Sequence, residues 1–223
     1  MKVACQRSGT TTRVIIYLVG LLVLFLFLSP DASSAERAVG RLVVAHGGVT
    51  LEKPGNEAAR DARPGDVVFV GDILETRGEG HAQLLLTDES VMTLSSGTAM
   101  RVNQYSFDAA TNRRTAEVRV FKGKIRIVLY IERNNESSFK VVTDHALISP
   151  SDSDFVVIVS EGETSLVVLY GGATVVNSSK FTVGTVNLGQ NQLTVVRGKN
   201  PPSVPSVITE EQRRAYIRDA KLF

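Results

Sequence analysis

Residues 65–102, GDVVFVGDILETRGEGHAQLLLTDESVMTLSSGTAMRV, constrain the fold more than any other stretch: paired Gly-Asp turns lead into apolar runs cut at short intervals by small polar residues. Runs of this length suit strands, and in residues 82–86 the alternation is explicit. Ala82, Leu84 and Leu86 point one way, Gln83 and Leu85 the other. Strands are expected at 67–70, 73–75, 82–87, 91–94 and 99–103, a spacing that suits an all-β fold, an antiparallel sandwich or roll of many short strands. Nothing around this ladder assembles a nucleophile with a base, a set of metal ligands or a phosphate loop. It reads as scaffold.

The rest of the chain follows the same rhythm. Residues 41–45 and 49–52 flank His46-Gly47-Gly48, which reads as a hairpin turn because glycine reaches positive φ without steric cost. Residues 53–64, with Pro54, Gly55, Asn56 and Pro64, form a loop. Beyond a polar turn at 109–114, strands are expected at 117–121 and 124–131, separated by a Lys122-Gly123 turn. In the second of these, Ile125, Ile127, Leu129 and Ile131 share one face and Lys124 and Arg126 begin the other. Further runs lie at 139–142, 155–160, 165–170, 173–176, 181–186 and 193–196; those at 155–159 and 166–170 are apolar on both faces, as in central strands covered on both sides.

A glycine turn feeding an alternating strand recurs at Gly48, Gly123 and Gly172. The spacings are irregular, so stacked hairpins explain the echo more simply than a fixed-period solenoid, although solenoid-like stacking is compatible with it. After the Pro-rich residues 200–205 a short C-terminal helix is expected from Glu210 to about Leu222, with Thr209 as N-cap and Gln212 closing a capping box. Its apolar stripe of Ile208, Ala215, Tyr216 and Ala220 is thin, suited to docking on the domain edge or on a partner.

At the amino terminus Lys2, Arg7 and Arg13 flank an apolar run over residues 14–28, and Ser33-Ser34-Ala35 supplies small residues before Glu36. This is the pattern of a secretory signal peptide cleaved between Ala35 and Glu36. The run is 15 residues long, against the roughly 20 of a spanning helix, which favours cleavage over an uncleaved anchor. Membrane contact is then expected only if the segment is kept. The only cysteine, Cys5, leaves with the signal, so neither disulfides nor thiolate metal sites are expected. Setting aside Lys2, Arg7, Arg13 and Asp31 leaves 22 cations and 22 anions from the 25 and 23 of the whole chain. Such balance argues against nucleic acid as a partner. The expected organisation is a signal peptide at 1–35, a β domain at 36–199, and a linker with the helix at 200–223.

Several segments in order resemble the periplasmic domain of the FecR (ferric-citrate regulator) family. They are Gly71-Asp72-Ile73-Leu74-Glu75-Thr76, residues 82–90 ending in Asp88-Glu89-Ser90, residues 91–98, Phe121-Lys122-Gly123-Lys124-Ile125, Phe139-Lys140-Val141-Val142-Thr143, the strand from Phe155, and Val186-Asn187-Leu188-Gly189-Gln190. The resemblance covers residues 40–198. It implies an all-β extracytoplasmic module without catalytic residues, in founding members part of a relay from an outer-membrane receptor to a cytoplasmic sigma factor. Gly71, Asp72, Thr76, Asp88, Ser90, Gly123, Gly172 and Gly189 carry its structural motif. Two departures stand out. Glu89 replaces a usual glycine, so a longer turn, or one of another type, is expected there; and Ser153-Asp154 stands where Gly-Thr is usual. Only residues 1–13 precede the apolar run, so a stand-alone secreted form is expected, without a domain for binding sigma factor.

Catalytic readings are weaker. His46-Gly47-Gly48 resembles an esterase oxyanion turn, but no Gly-x-Ser-x-Gly elbow accompanies it. Asp144-His145 with Asp152 and Asp154 lacks the ligand ladder of a calcium loop, and Pro150 reads as an ordinary turn. His81 reads as a loop residue, and three scattered histidines give no zinc spacing. No cofactor and no enzymatic activity are expected. The basic cluster of Arg113, Arg114, Arg119, Lys122, Lys124 and Arg126 is the main charge asymmetry, and Arg119, Lys124 and Arg126 are the candidates for anion or polymer contact. Tyr105, Phe107 and Tyr130 are the nearby aromatics, as ready to fill core as to face a ligand. The expected role is a periplasmic or secreted bacterial envelope module for protein interaction or signalling. The alternative is a binding or structural module for envelope polysaccharide or peptidoglycan.

Overall fold

A computed structural model describes residues 37–55, 58–130, 136–179, 181–218 and 220. The expected signal segment, with Ala35 and Glu36 at its cleavage point, lies outside the described residues, as do Ile131 and the last residues of the expected helix. Among the described residues thirteen strands form one sheet: β1 (Ala38–Glu52), β2 (Arg60–Asp61), β3 (Val67–Phe69), β4 (Ile73–Leu86), β5 (Val91–Leu94), β6 (Ala99–Asp108), β7 (Arg113–Val128), β8 (Ser138–Val142), β9 (Ala146–Ser160), β10 (Glu163–Asn177), β11 (Thr185–Leu188), β12 (Gln192–Arg197) and β13 (Ser206–Val207). The main path runs β13-β12-β10-β9-β8-β7-β5-β4-β1-β2, with β11 on β10, β3 on β1, and β6 between β4 and β7. All pairs are antiparallel except β7 with β8. A helix, α1 (Glu210–Ile217), follows. The fold is all-β with a short C-terminal helix.

The strands differ from expectation in being long. Residues 41–45 and 49–52 are not a hairpin; they are one strand, β1, which pairs with β4 from Gly40 to Glu52. The His46–Gly48 segment is a bulge where the register slips, with Gly47 at φ +72°. The expected turn at Lys122-Gly123 is likewise a bend inside β7, and residues 165–170 and 173–176 are both parts of β10. Pro150 lies within β9, opposite Ala173, instead of marking a turn. The expected strand at 181–186 starts only at Thr185. The physical reason is common to these glycine sites: a tight turn and a β-bulge both require a residue at positive φ, and only long-range pairing decides between them.

Each bend lets a strand change partners. β7 pairs with β6 and β8 before Gly123, and with β5 and β9 from there on. β4 pairs with β6 at residues 73–75 and with β5 at 82–85; β10 pairs with β12 before its bend and β11 after it. Strands that switch partners at bulges make the corners of a roll. The echo at Gly48, Gly123 and Gly172 is this repeated corner, not a series of hairpins.

One continuous apolar core, from Val39 and Leu51 of β1 to Val196 of β12, fills the inner face. The alternation read in residues 82–86 and 125–129 points the expected side chains into it: Ala82, Leu84, Leu86, Ile125, Ile127 and Leu129 are all buried. A second, smaller core lies on the opposite face of β9 and β10, where Val156, Val167 and Leu169 meet Ile208, Tyr216 and Ile217. The two central strands are thus covered on both sides, and α1 supplies part of the cover. Thr209 caps α1 and Gln212 closes the capping box, with Thr209 Oγ1 accepting from Gln212 N at 3.2 Å.

The corner at Gly123 is tight: a Cβ there would stand 2.5 Å from Thr98 Cα. Gly162 also has positive φ, +78°, but a Cβ there would meet nothing within 4 Å. Gly123→Ala therefore adds a backbone clash to the left-handed penalty and is expected to cost about 2 kcal/mol or more, whereas Gly162→Ala costs about 1 kcal/mol. Equilibrium urea unfolding of the two variants checks the ordering; equal losses would show that the corner tolerates a side chain.

Candidate functional site

The β4–β5 connection begins where Leu86 N donates to Ser90 O at 2.9 Å and Glu89 N donates to Leu86 O at 3.1 Å. This is a three-residue hairpin loop whose last position takes the left-handed conformation, and Glu89 occupies it at φ +66°. A longer or different turn was expected from glutamate at this place. The tight turn persists because Asp88 and Ser90 on either side are buried and anchored.

The anchor is an ion pair. Arg114 Nη1, at the start of β7, donates to Asp88 Oδ2 at 2.5 Å and to Ser90 Oγ at 2.9 Å, with the side chains of Arg114 and Asp88 3% and 1% exposed. Tyr105 of β6 is buried beside them. Its hydroxyl lies 3.0 Å from Thr87 Oγ1 and accepts from Asp88 N at 3.2 Å. The Arg114 guanidinium stands over the Phe139 ring of β8 at 4.9 Å, and Tyr130 N donates to Ser90 Oγ. One charge pair therefore joins the β4–β5 turn, β6, β7 and β8.

The other motif positions also serve the scaffold. Asp72 accepts from Phe69 N at 2.9 Å in the turn where Gly71 has φ +95°. Thr76 Oγ1 donates to Ser95 O at 2.6 Å and accepts from Thr98 N, while Thr98 Oγ1 donates to Lys124 O beside Gly123. Gly172 O accepts from Ser153 Oγ at 2.6 Å, and Gly189 N donates to Gln192 Oε1 at 2.8 Å.

The basic candidates are engaged. Arg126 makes two bonds to Asp154, 2.9 and 2.7 Å, with side chains only 11% and 18% exposed, and reaches Ala220 O. Arg119 pairs with Asp144 at 2.6 Å. Lys124 lies on the same outward face of β7. Phe121 lies under two guanidinium groups, Arg119 at 5.6 Å and Arg101 at 5.8 Å. Nearby, Arg77 and then Lys122 hold the Glu75 carboxyl below its ordinary range. With Asp144 and Asp154 each taken by an arginine, Asp144, His145, Asp152 and Asp154 do not assemble as a metal set; among the described residues no group of three or more His, Cys, Asp or Glu converges. His46 and His81, scattered in sequence, are cross-strand neighbours with ring centroids 5.4 Å apart.

An open groove of about 990 Å³ lies between the β4–β5 turn, the β6–β7 turn, the end of β7 and the bend of β9. Tyr130 and Tyr170, 63% and 64% exposed, stand at it, and Phe107, Val128 and Leu129 also line it. Among the described residues that line it are four carboxylates, Asp88, Glu89, Asp152 and Asp154. Among the described residues four non-glycine residues have positive φ, and three of them, Glu89, Asn112 and Asp152, line this groove. Backbone strain of this kind concentrates at functional sites. Sequence reasoning named Tyr130 and Phe107 but had no means of bringing Tyr170 to them, because a bend in β10 decides where that side chain emerges.

The architecture is that of an all-β roll with an open groove at one corner. The family model described as FecR protein matches residues 72–174, from the start of β4 into β10. Two solved structures are similar, each of a candidate anti-sigma factor from Parabacteroides distasonis ATCC 8503. The first has 20% identity and a TM-score of 0.50 over 65% of this chain and 63% of that one; the second has 19% identity and a TM-score of 0.49 over 65% and 64%. At that identity the first likeness concerns the fold, and this chain spans less than two thirds of either protein. No curated protein matches the chain.

Removing one member of a buried ion pair strands the other charge. Arg114→Met is therefore expected to cost about 3–5 kcal/mol, and the double variant with Asp88→Asn less than the single one. Chemical denaturation of the three proteins checks this; a double variant worse than Arg114→Met would argue against the pairing. Burial pushes the Tyr105 hydroxyl up from 10.0 to about 12. The folded state favours the neutral phenol, so this contribution to stability is complete below about pH 10 and lost as pH rises through about 12. In a tyrosinate absorbance titration, Tyr105→Phe should remove the highest-pH step.

Proposed function

We propose that the chain is a non-catalytic signalling module of the bacterial envelope that works by binding another protein. The FecR match over residues 72–174 carries this reading. It takes in the buried Asp88–Arg114 anchor and most of the groove residues, so the matched region includes both a rigid frame and a surface for contact. The expected location is periplasmic or secreted, in keeping with the family resemblance; no helix among the described residues is long and apolar enough to cross a membrane.

A second reading, binding of an anionic envelope polymer, is favoured by Phe121 lying under Arg119 and Arg101. It is weakened by the carboxylate partners of Arg119 and Arg126. Crosslinking the tagged chain in its native envelope, with mass spectrometry of what is captured, separates the two. Recovery of one discrete envelope protein is the expected result. Capture of polysaccharide or peptidoglycan alone, lost at high salt and with Arg119→Ala, would overturn the protein reading.

A further inference from the structure

The ladder between β1 and β4 has its widest break where the two histidines meet. Between the opposed pairs His46–His81 and Gly48–Arg77, the single residue Gly47 faces three residues of β4, Gly78, Glu79 and Gly80. Gly47 and Gly78 take positive φ, +72° and +56°. The two backbones come too close there for side chains: a Cβ on Gly47 would stand 2.8 Å from Gly80 Cα, and one on Gly80 would stand 2.8 Å from Gly48 O. Ser96 Oγ donates to Gly78 O, which ties the bulge to the β5–β6 loop. In residues 46–48 and 78–81 the only side chains are those of His46, Glu79 and His81. All three are of metal-ligating types.

The imidazole rings of His46 and His81 stand 5.4 Å apart between centres, with their planes tilted by 43°. With a Zn–N bond of about 2.0–2.1 Å, the centre of a ligating imidazole lies roughly 3.2 Å from the metal. Two such ligands on a tetrahedral ion have centres about 5.2 Å apart, and two adjacent ligands on a square-planar ion about 4.5 Å. The separation in this protein agrees with the tetrahedral value. Rotation about χ2, a broad torsion in histidine, leaves each ring centre nearly in place and aims one nitrogen of each at a common point. The second nitrogen of a ligating histidine keeps its own hydrogen bond, so ligation does not compete with a contact made there. His46 is exposed and His81 half-buried, which leaves the pair open to solvent. Arg77, the cation of β4, donates twice to Glu75, at 3.0 and 2.6 Å.

We propose that His46 and His81 form a two-histidine site for a divalent transition metal of tetrahedral preference, zinc above all, which bridges β1 and β4 across the bulge. Among the described residues no third His, Cys, Asp or Glu converges with the two rings, so water completes the coordination. Two protein ligands are fewer than the three or four of a resident zinc site, and the ion bound here is an exchangeable one. The site is independent of the protein-binding reading above.

Calorimetric titration of zinc chloride into the untagged full chain carrying Cys5→Ser, which removes its one thiol, tests this. One saturable site per chain is expected. His46→Ala and His81→Ala should each weaken it about tenfold or more, because a second ligand on the same frame acts at high effective concentration. His145→Ala, in the β8–β9 turn, should leave it unchanged. Zinc should also raise the thermal midpoint of the Cys5→Ser chain and not that of either histidine variant, since a ligand bound only by the folded state stabilises it by mass action. Equal midpoints without metal verify that the variants fold; where one is lowered, His46→Gln or His81→Gln takes its place. Absence of saturable binding, binding indifferent to both histidine substitutions, or binding lost equally with His145→Ala overturns the proposal and leaves the two rings as a cross-strand contact.

Discussion

The ion pair between Asp88 and Arg114 holds the rest of the structure in place. Both side chains are almost completely removed from water, and burying two charges is favourable only when geometry and additional hydrogen bonds compensate for lost hydration. Ser90, Tyr105 and the backbone of the turn furnish those bonds. The consequence is specificity more than gross stability: the β4–β5 turn must meet β7 where it does, since any other register would leave a buried charge alone. It also explains why Glu89 can adopt a conformation that glutamate disfavours. The turn is clamped on both sides by residues with nowhere else to go.

Around that clamp the sheet turns its corners. Long strands bend at Gly47 and Gly48 in β1, Gly123 in β7, and Gly171 with Asp152 where β10 and β9 cross. At Gly123 and Gly171 an added Cβ would collide with the backbone of the facing segment. The bends let one strand serve two neighbours and close a core that stretches from β1 to β12. The same bends open the groove, because side chains on either side of a bulge diverge. Tyr170 emerges one residue before the β10 bend, and Asp152 at the β9 bend faces the same space. Scaffold and candidate site are thus products of one geometric device.

Charge is divided between two faces. On β7 the cations are largely matched by Asp144, Asp154 and Glu75. At the corner groove four carboxylates gather, two of them paired with Arg114 and Arg126.

Period-two alternation, the Thr209 to Gln212 capping box and the doubly apolar runs at 155–159 and 166–170 were legible from sequence because each depends on neighbours a few residues away. They determined the all-β class, the helix start and which strands are central. The ordered motif segments likewise pointed to the FecR domain before any coordinates. Three things were decided only by tertiary structure. Gly47, Gly123 and Gly171 lie at bends inside strands, because a turn and a bulge share the same positive φ and differ only in a partner far along the chain. Arg114 is a buried anchor and not part of a solvated basic face, because its partner Asp88 lies 26 residues away. Tyr130, Tyr170, Glu89 and Asp152 share a groove because three separate corners meet there, and no local pattern in the chain records that meeting.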